Sequence, residues 1–318
     1  MMRELTMVAW AEEYLCYRRK LGFQLNVEGR QLLDFARYAD KEGCDGHLST
    51  GLALRWARLP QNGSALYWAR RLEVVRCFAR YLAVFDPLTE VPPKGILGPA
   101  HQRTTPHIYS NAEIGMLLKA CTELKPAGGL RPHTYVTLFG LLSCTGLRIS
   151  EALKLTDDDV DLNRGILTIR QSKFHKSRLV PVHPSAKGAL KRYVHLRDRL
   201  CPIRSSRAFL VSGSGNALPY STVNYVFLTL SRSLGWNCGN MSLRCRIYDL
   251  RHTFATRQIT IWQEQRTDVS ALLSTLSTYM GHVKVSDTYW YLSAIPELFA
   301  VTVKAFERYA RMEQADST

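Results

Sequence analysis

The stretch Tyr248-Asp249-Leu250-Arg251-His252-Thr253-Phe254-Ala255-Thr256 decides how the rest of the chain is read. Residues three and four apart share a helix face, so Tyr248, Arg251 and His252 fall within one turn of a helix predicted over Tyr248 to Ile261. A second helix, Asp268 to Met280, ends in Tyr279-Met280-Gly281-His282 and is followed by Thr288-Tyr289-Trp290-Tyr291. Tyr291 therefore lies nine residues beyond His282 and is a candidate nucleophile. Upstream, Thr145-Gly146-Leu147-Arg148-Ile149-Ser150-Glu151 reads as a turn entering a helix. Arg148 in its first turn could meet a phosphate together with helix N–H groups, while Glu151 would orient Arg148 or merely pair with it.

Between these lies a hairpin pattern: Ile166 to Arg170, a polar turn from Gln171 to Ser177, then Arg178-Leu179-Val180-Pro181-Val182. A lysine at its tip can give a proton to a departing alkoxide if neighbouring arginines bring its pKa toward the working pH. Taken singly, a turn lysine is usually solvated and an arginine near a helix start is usually a surface charge. Their conjunction in one half of the chain makes phosphate chemistry the better reading.

Charge agrees with an anionic partner. The 318 residues carry 42 Lys plus Arg against 27 Asp plus Glu, a formal net charge of +15, with ordinary globular hydrophobic content of 46%. Residues 1–108 hold 15 basic and 11 acidic side chains and the remainder 27 and 16, so the second part dominates the attraction. No apolar run approaches a membrane span, and the acidic N-terminus does not read as a signal peptide, so a cytoplasmic chain with no membrane partner is expected. Eight scattered cysteines without a C-x-x-C pair read as buried reduced thiols.

Pro87, Pro92, Pro93, Pro99 and Pro106 with Gly95 and Gly98 break the periodicity and suggest a linker. The expected organisation is a helical DNA-binding unit over 1–86, a linker over 87–108, a catalytic domain over 109–295 and a tail helix within 296–318. In the first unit, Arg18-Arg19-Lys20 and the series Arg70, Arg71, Arg76, Arg80 would form half of a two-part clamp on nucleic acid. In the second, the spacing Ser110-Asn111-Ala112-Glu113 is that of a capping box. Helices also read over 132–143, 148–155, 185–200, 221–234 and 296–311, with strands at 166–170, 179–182 and 208–211. The fold class expected is mainly α with a small β-sheet.

These segments, in this order, resemble the tyrosine recombinase (phage integrase) family along essentially the whole chain. The resemblance implies that Arg148 and Arg251 clamp the phosphate, Lys173 is the general acid, His282 adds a phosphate hydrogen bond and Tyr291 attacks. Its distance from Leu179-Val180-Pro181 favours Lys173 over Lys176, and the spacing from Gly281-His282 favours Tyr291 over Tyr289. The family usually places histidine where Tyr248 stands, and a phenol with a pKa near 10 is a poorer base than imidazole. The interval from Arg251 to His282 is longer than in the family, which suggests a loop extension around Gln263-Glu264-Gln265-Arg266. Implied with the family are strand transfer through a 3′-phosphotyrosyl link without metal or cofactor, and double-stranded DNA as partner. A four-protomer assembly on DNA, with or without companion recombinases, also follows from it.

Three rivals stand beside this reading. A metal-dependent nuclease would use Asp157-Asp158-Asp159 with Asp161, although acids in a turn are commonly solvated or capping groups. A DNA-binding accessory protein would keep the fold and lose catalysis, as Tyr248 makes conceivable. A topoisomerase or telomere resolvase would share the chemistry. In the tail, Leu298, Phe299, Thr302, Ala305, Phe306 and Tyr309 share one side of a helix, suited to its own domain or to a neighbouring protomer.

Overall fold

The computed structural model describes residues 6–43, 47–101, 105–170, 177–236, 245–265, 267, 269–282 and 288, the side chain of Ser270 excepted. Expectations for Lys173, Lys176, Tyr289, Tyr291 and the tail helix lie outside the described residues. The chain divides into two compact units, 1–104 and 105–318.

The first unit has four helices, α1 (Met7–Lys20), α2 (Asn26–Lys41), α3 (Thr50–Arg58) and α4 (Ala65–Leu82), and all but α2, which follows Leu25, start at a serine or threonine cap. The side chains of Thr6, Ser49 and Ser64 accept from Ala9, Leu52 and Tyr67 N–H groups, satisfying donors that a helix start leaves free. The helices bury Leu32, Phe35, Trp56, Val75 and Phe78 against one another. Arg71 departs from the expected basic face of α4. It is buried, donates to the Trp56 carbonyl at 3.1 Å and lies 3.7 Å from the Trp56 ring centroid, a strut between α3 and α4. Much of the segment read as a linker rests on this unit. Glu90 N–H donates to Leu48 O, Arg76 to Pro92 O and Arg70 to Ala100 O, while Val91 and Leu97 pack on the core.

The second unit begins with α5 (Asn111–Thr122), started by the expected capping box, in which Ser110 accepts from Glu113 N–H and Glu113 from Ser110 N–H. It continues through α6 (Leu130–Thr145), α7 (Ile149–Lys154), β1 (Val160–Asp161), β2 (Ile166–Ile169), β3 (Arg178–Pro181), α8 (Pro184–Leu200), α9 (Tyr220–Ser233), α10 (Ile247–Glu264) and α11 (Val269–Met280). The sheet is antiparallel in the order β1-β2-β3, with Val160 opposite Leu167 and Ile169 opposite Arg178. Helix α6 is buried along most of its length and packs against α5, α8 and α10, which makes it the central element. A smaller cluster of Phe254, Ala255, Ile259, Leu273, Leu276 and Met280 seats α11 on α10.

Three expectations are corrected. Residues 208–211 form only isolated bridges, Thr156 with Ala208 and Val211 with Ala217, and no strand. Their backbone groups are satisfied elsewhere: Phe209 O accepts from Arg197, Val211 N–H donates to Tyr193 and Val211 O accepts from Thr134. The third strand is instead β1. Gln263 and Glu264 belong to the last turn of α10 and Gln265 caps it, so the first part of the expected loop extension is helix, as good helix formers without Gly or Pro allow, while Arg266 lies outside the described residues. Finally, Cys121, Cys201 and Cys245 are buried thiols, whereas Cys16 and Cys144 are exposed.

Among the described residues no helix is long and apolar enough to cross a membrane. Ser110→Ala removes one half of the capping box and is expected to destabilise the second unit by about 1 kcal/mol, read as a shift in its denaturant midpoint. The exposed Ser274→Ala, away from any cap, should leave that midpoint unchanged.

Candidate active site

Helix α11 ends in a glycine turn that brings the sequence motifs together. Gly281 adopts φ +68°, its N–H donates to Thr278 O at 3.0 Å, and His282 N–H donates to Ser277 O at 2.9 Å. This paired pattern closes a helix with a left-handed residue, which favours glycine, and it delivers His282 directly off the helix end. Three consecutive carbonyls there each accept from a different arginine. Tyr279 O takes Arg178 Nε at 2.7 Å, Met280 O takes Arg251 Nη2 at 2.7 Å and Gly281 O takes Arg148 Nη2 at 2.8 Å. A helix C-terminus carries partial negative charge on its unsatisfied carbonyls, so it attracts all three cations to one place.

The arginines arrive from three elements. Arg251 stands in the first half of α10, is buried, and donates through Nη1 to Gly146 O at 2.6 Å. Gly146 caps α6 at φ +61°, and a Cβ there would run into the Phe254 ring, so two constraints select glycine at this point. The Thr-Gly-Leu-Arg and Leu-Arg-His-Thr-Phe motifs are thus the two sides of one contact. Arg148 caps α7; its Nη1 donates to Glu151 Oε1 at 2.8 Å and its side chain remains 18% exposed. Arg178, opening β3, grips both oxygens of the same carboxylate at 3.0 and 2.8 Å.

Glu151 therefore pairs with two arginines. Burial alone would raise its pKa, but hydrogen bonds and charge from Arg178, then Arg148, outweigh it and hold the carboxyl at about 2. Three guanidiniums against one carboxylate leave the cluster cationic, as an anion site requires. His282 engages the buried Thr288 hydroxyl through Nδ1 at 2.7 Å, which fixes the ring plane. Tyr248, in the first turn of α10, is 45% exposed, its ring edge-on to His252 at 4.8 Å. Burial, with the charges of Arg246, Arg251 and His282, holds His252 down to about 3, so this imidazole is neutral at pH 7.

Of the sequence candidates, Arg148, Arg251 and His282 are brought together at the end of α11, and Tyr248 stands three residues from Arg251 on the same helix. Lys173 and Tyr291 lie outside the described residues. Arg178 was missed, although a signal existed: it alternates with buried Val180 on one face of β3, an unusual place for a charge. Three of the four acids of the nuclease reading are engaged in the fold, and Asp158 is exposed. Asp157 pairs with Arg197 and Arg204, Asp159 with Arg170, and Asp161 accepts from the N–H groups of Asn163 and Arg164.

The phage integrase family model matches residues 109–297, the span that holds every element of this cluster. The chain belongs to the phage integrase family. A putative integrase/recombinase, y4rB of Sinorhizobium fredii, is 42% identical over 301 residues, covering 93% of this chain and 96% of the relative. Tyrosine recombinase XerC of Chlamydia caviae is 28% identical, covering 69% of this chain and 64% of the relative. The Tn1549 transposon integrase, solved with transposon right end DNA, shares the fold at a TM-score of 0.68 and 16% identity, over 96% of this chain and all of that one. The family member described here is a site-specific recombinase.

Because Glu151 has a folded value near 2, below its unfolded value of 4.5, its contribution is complete above about pH 4.5 and is lost as pH falls through about 2. That loss is on the order of 3 kcal/mol. Urea midpoints across this window should fall less steeply in Glu151→Gln than in the parent, from a lower starting value at pH 7. His252 acts in a higher window: its contribution is complete above 6.5 and declines as pH falls toward 3. The variant should keep that upper decline.

Proposed function

We propose that this recombinase cleaves and rejoins double-stranded DNA through a 3′-phosphotyrosyl intermediate, with Arg148 and Arg251 receiving the scissile phosphate. The observation that carries this reading is that both guanidiniums hang from adjacent carbonyls of the helix end that also delivers His282. A phosphodiester repels nucleophiles, and two fixed cations neutralise both its charge and the further charge of the transition state. His282 adds a hydrogen bond to a phosphate oxygen, and Tyr248 donates one from its phenol. Tyr291 then attacks phosphorus, its proton passing to solvent water as the Oη–P bond forms, while the P–O5′ bond breaks and Lys173 protonates the departing 5′ oxygen. Bond energy is kept in the phosphotyrosyl link, so a 5′-hydroxyl from another strand reverses the step without ATP.

The first unit supports binding. Arg19, Lys20, Arg70 and Arg80 are exposed on it, a surface suited to the DNA backbone. Exchange between two duplexes needs four cleavages and each protomer has one such tyrosine, so four protomers on two sites are the working assembly. The tail helix, docked in a neighbour, is the means we favour for holding it. Kinship with integrase/recombinase relatives points to the movement of a mobile element as the setting.

Suicide substrates, in which the leaving strand is lost after cleavage, test this directly. A covalent adduct should form in EDTA, yield a DNA-bearing peptide containing Tyr291, persist in Tyr289→Phe and vanish in Tyr291→Phe with DNA affinity kept. An adduct on another residue, or cleavage that needs magnesium and leaves no adduct, would sink the reading. Arg148→Ala should slow cleavage by about 10²–10³-fold while changing affinity little, since one phosphate contact among many adds little to binding.

A further inference from the structure

Arg178 is the arginine of the cluster to which the phosphate reading assigns no role. Its side chain is 10% exposed, and all three of its nitrogens are committed: Nε to Tyr279 O, Nη1 and Nη2 to the two oxygens of Glu151. Such a fork is rigid, because a planar guanidinium meets a planar carboxylate along two parallel bonds while the third donor fixes its rotation. Arg148, by contrast, is more exposed and spends Nη1 on Glu151 and Nη2 on Gly281 O.

We propose that Arg178 is a positioning residue for strand cleavage, acting through Glu151 to fix the Arg148 guanidinium against the end of α11. The proposal rests on the assignment of Arg148 to the scissile phosphate. The chain of contact is continuous: β3 to Glu151, Glu151 to Arg148, Arg148 to Gly281 O, with Arg178 closing the ring at Tyr279 O. The Glu151 side chain is only 4% exposed. Without Arg178 a buried carboxylate would face Arg148 as its one remaining guanidinium partner among the described residues. It would draw Arg148 fully into neutralising it, lowering the charge available for phosphate and releasing the rotation that aims it. Gly281 belongs to the same device: a Cβ there would stand 2.7 Å from Arg178 Nη1, against a guanidinium held on three sides.

The test compares single-turnover cleavage and DNA affinity for the parent, Arg178→Ala and Arg178→Lys on two full-length substrates. One carries an ordinary scissile phosphodiester and the other a methylphosphonate at that position, which lacks the negative charge that Arg148 answers. On the phosphodiester, Arg178→Ala should be slower by about 100-fold, the scale of an ångström-size misplacement, with affinity within about threefold of the parent. Arg178→Lys keeps the charge beside Glu151 but not the fork, and should be intermediate. On the methylphosphonate, both variants should cleave within a few fold of the parent.

Unchanged cleavage of the phosphodiester in Arg178→Ala would overturn the proposal, and so would an equal loss on both substrates, which marks a merely structural role. Where Arg178→Ala does not fold, Arg178→Lys gives the same two-substrate comparison. A parent protein that forms no covalent adduct on either substrate would instead refute the assignment of the reaction itself, so the two failures are distinguishable.

Discussion

Three guanidiniums hydrogen-bonded to three successive carbonyls at the end of α11 are the constraint on which the catalytic unit depends. The interaction is electrostatically simple: positive forks on the negative end of a helix, in a largely buried place where each bond counts for more than it would in water. Its consequence is geometric. Arg148 comes from the α6–α7 turn, Arg178 from the sheet, Arg251 from α10, and His282 follows α11, so one helix end sets the positions of groups contributed by four parts of the fold.

The price of gathering like charges is met by Glu151. Three cations around adjacent carbonyls would repel one another, and a single buried carboxylate offsets part of that repulsion while leaving the set positive overall. The acid's low pKa and the cations' fixed orientation are two sides of the same pairing. A transition state with developing negative charge then meets dipoles and charges already in place, so little reorganisation is required during the reaction.

What the sequence revealed follows the range over which each signal acts. The motifs around Arg148, Arg251 and His282 were legible because their roles are announced locally, by a glycine turn, a helix start or a Gly-His pair, and the resemblance to phage integrases rests on their order. The capping box at Ser110 was legible for the same reason. The carbonyl grips were not, because they run to backbone atoms, which side-chain patterns do not encode, and two of the three join residues more than a hundred positions apart. Strand β1 is two residues long and carries no periodicity, and the apolar run 208–211 imitates a strand because it is buried, with side chains such as Arg197 and Thr134 satisfying its backbone. Arg71 looked like part of a DNA-facing row and is a core strut, since only packing tells a cation stacked on Trp56 from one in solvent.

Gly281 offers the most direct measurement of whether this helix end organises catalysis. Gly281→Ala adds one methyl group at φ +68° and against Arg178, without removing any polar side chain. Single-turnover cleavage should fall by about 100-fold with site affinity near that of the parent, while the melting temperature of the unit drops modestly because the added Cβ is strained at this φ. Cleavage at the parental rate in a folded, DNA-binding Gly281→Ala protein would contradict the account.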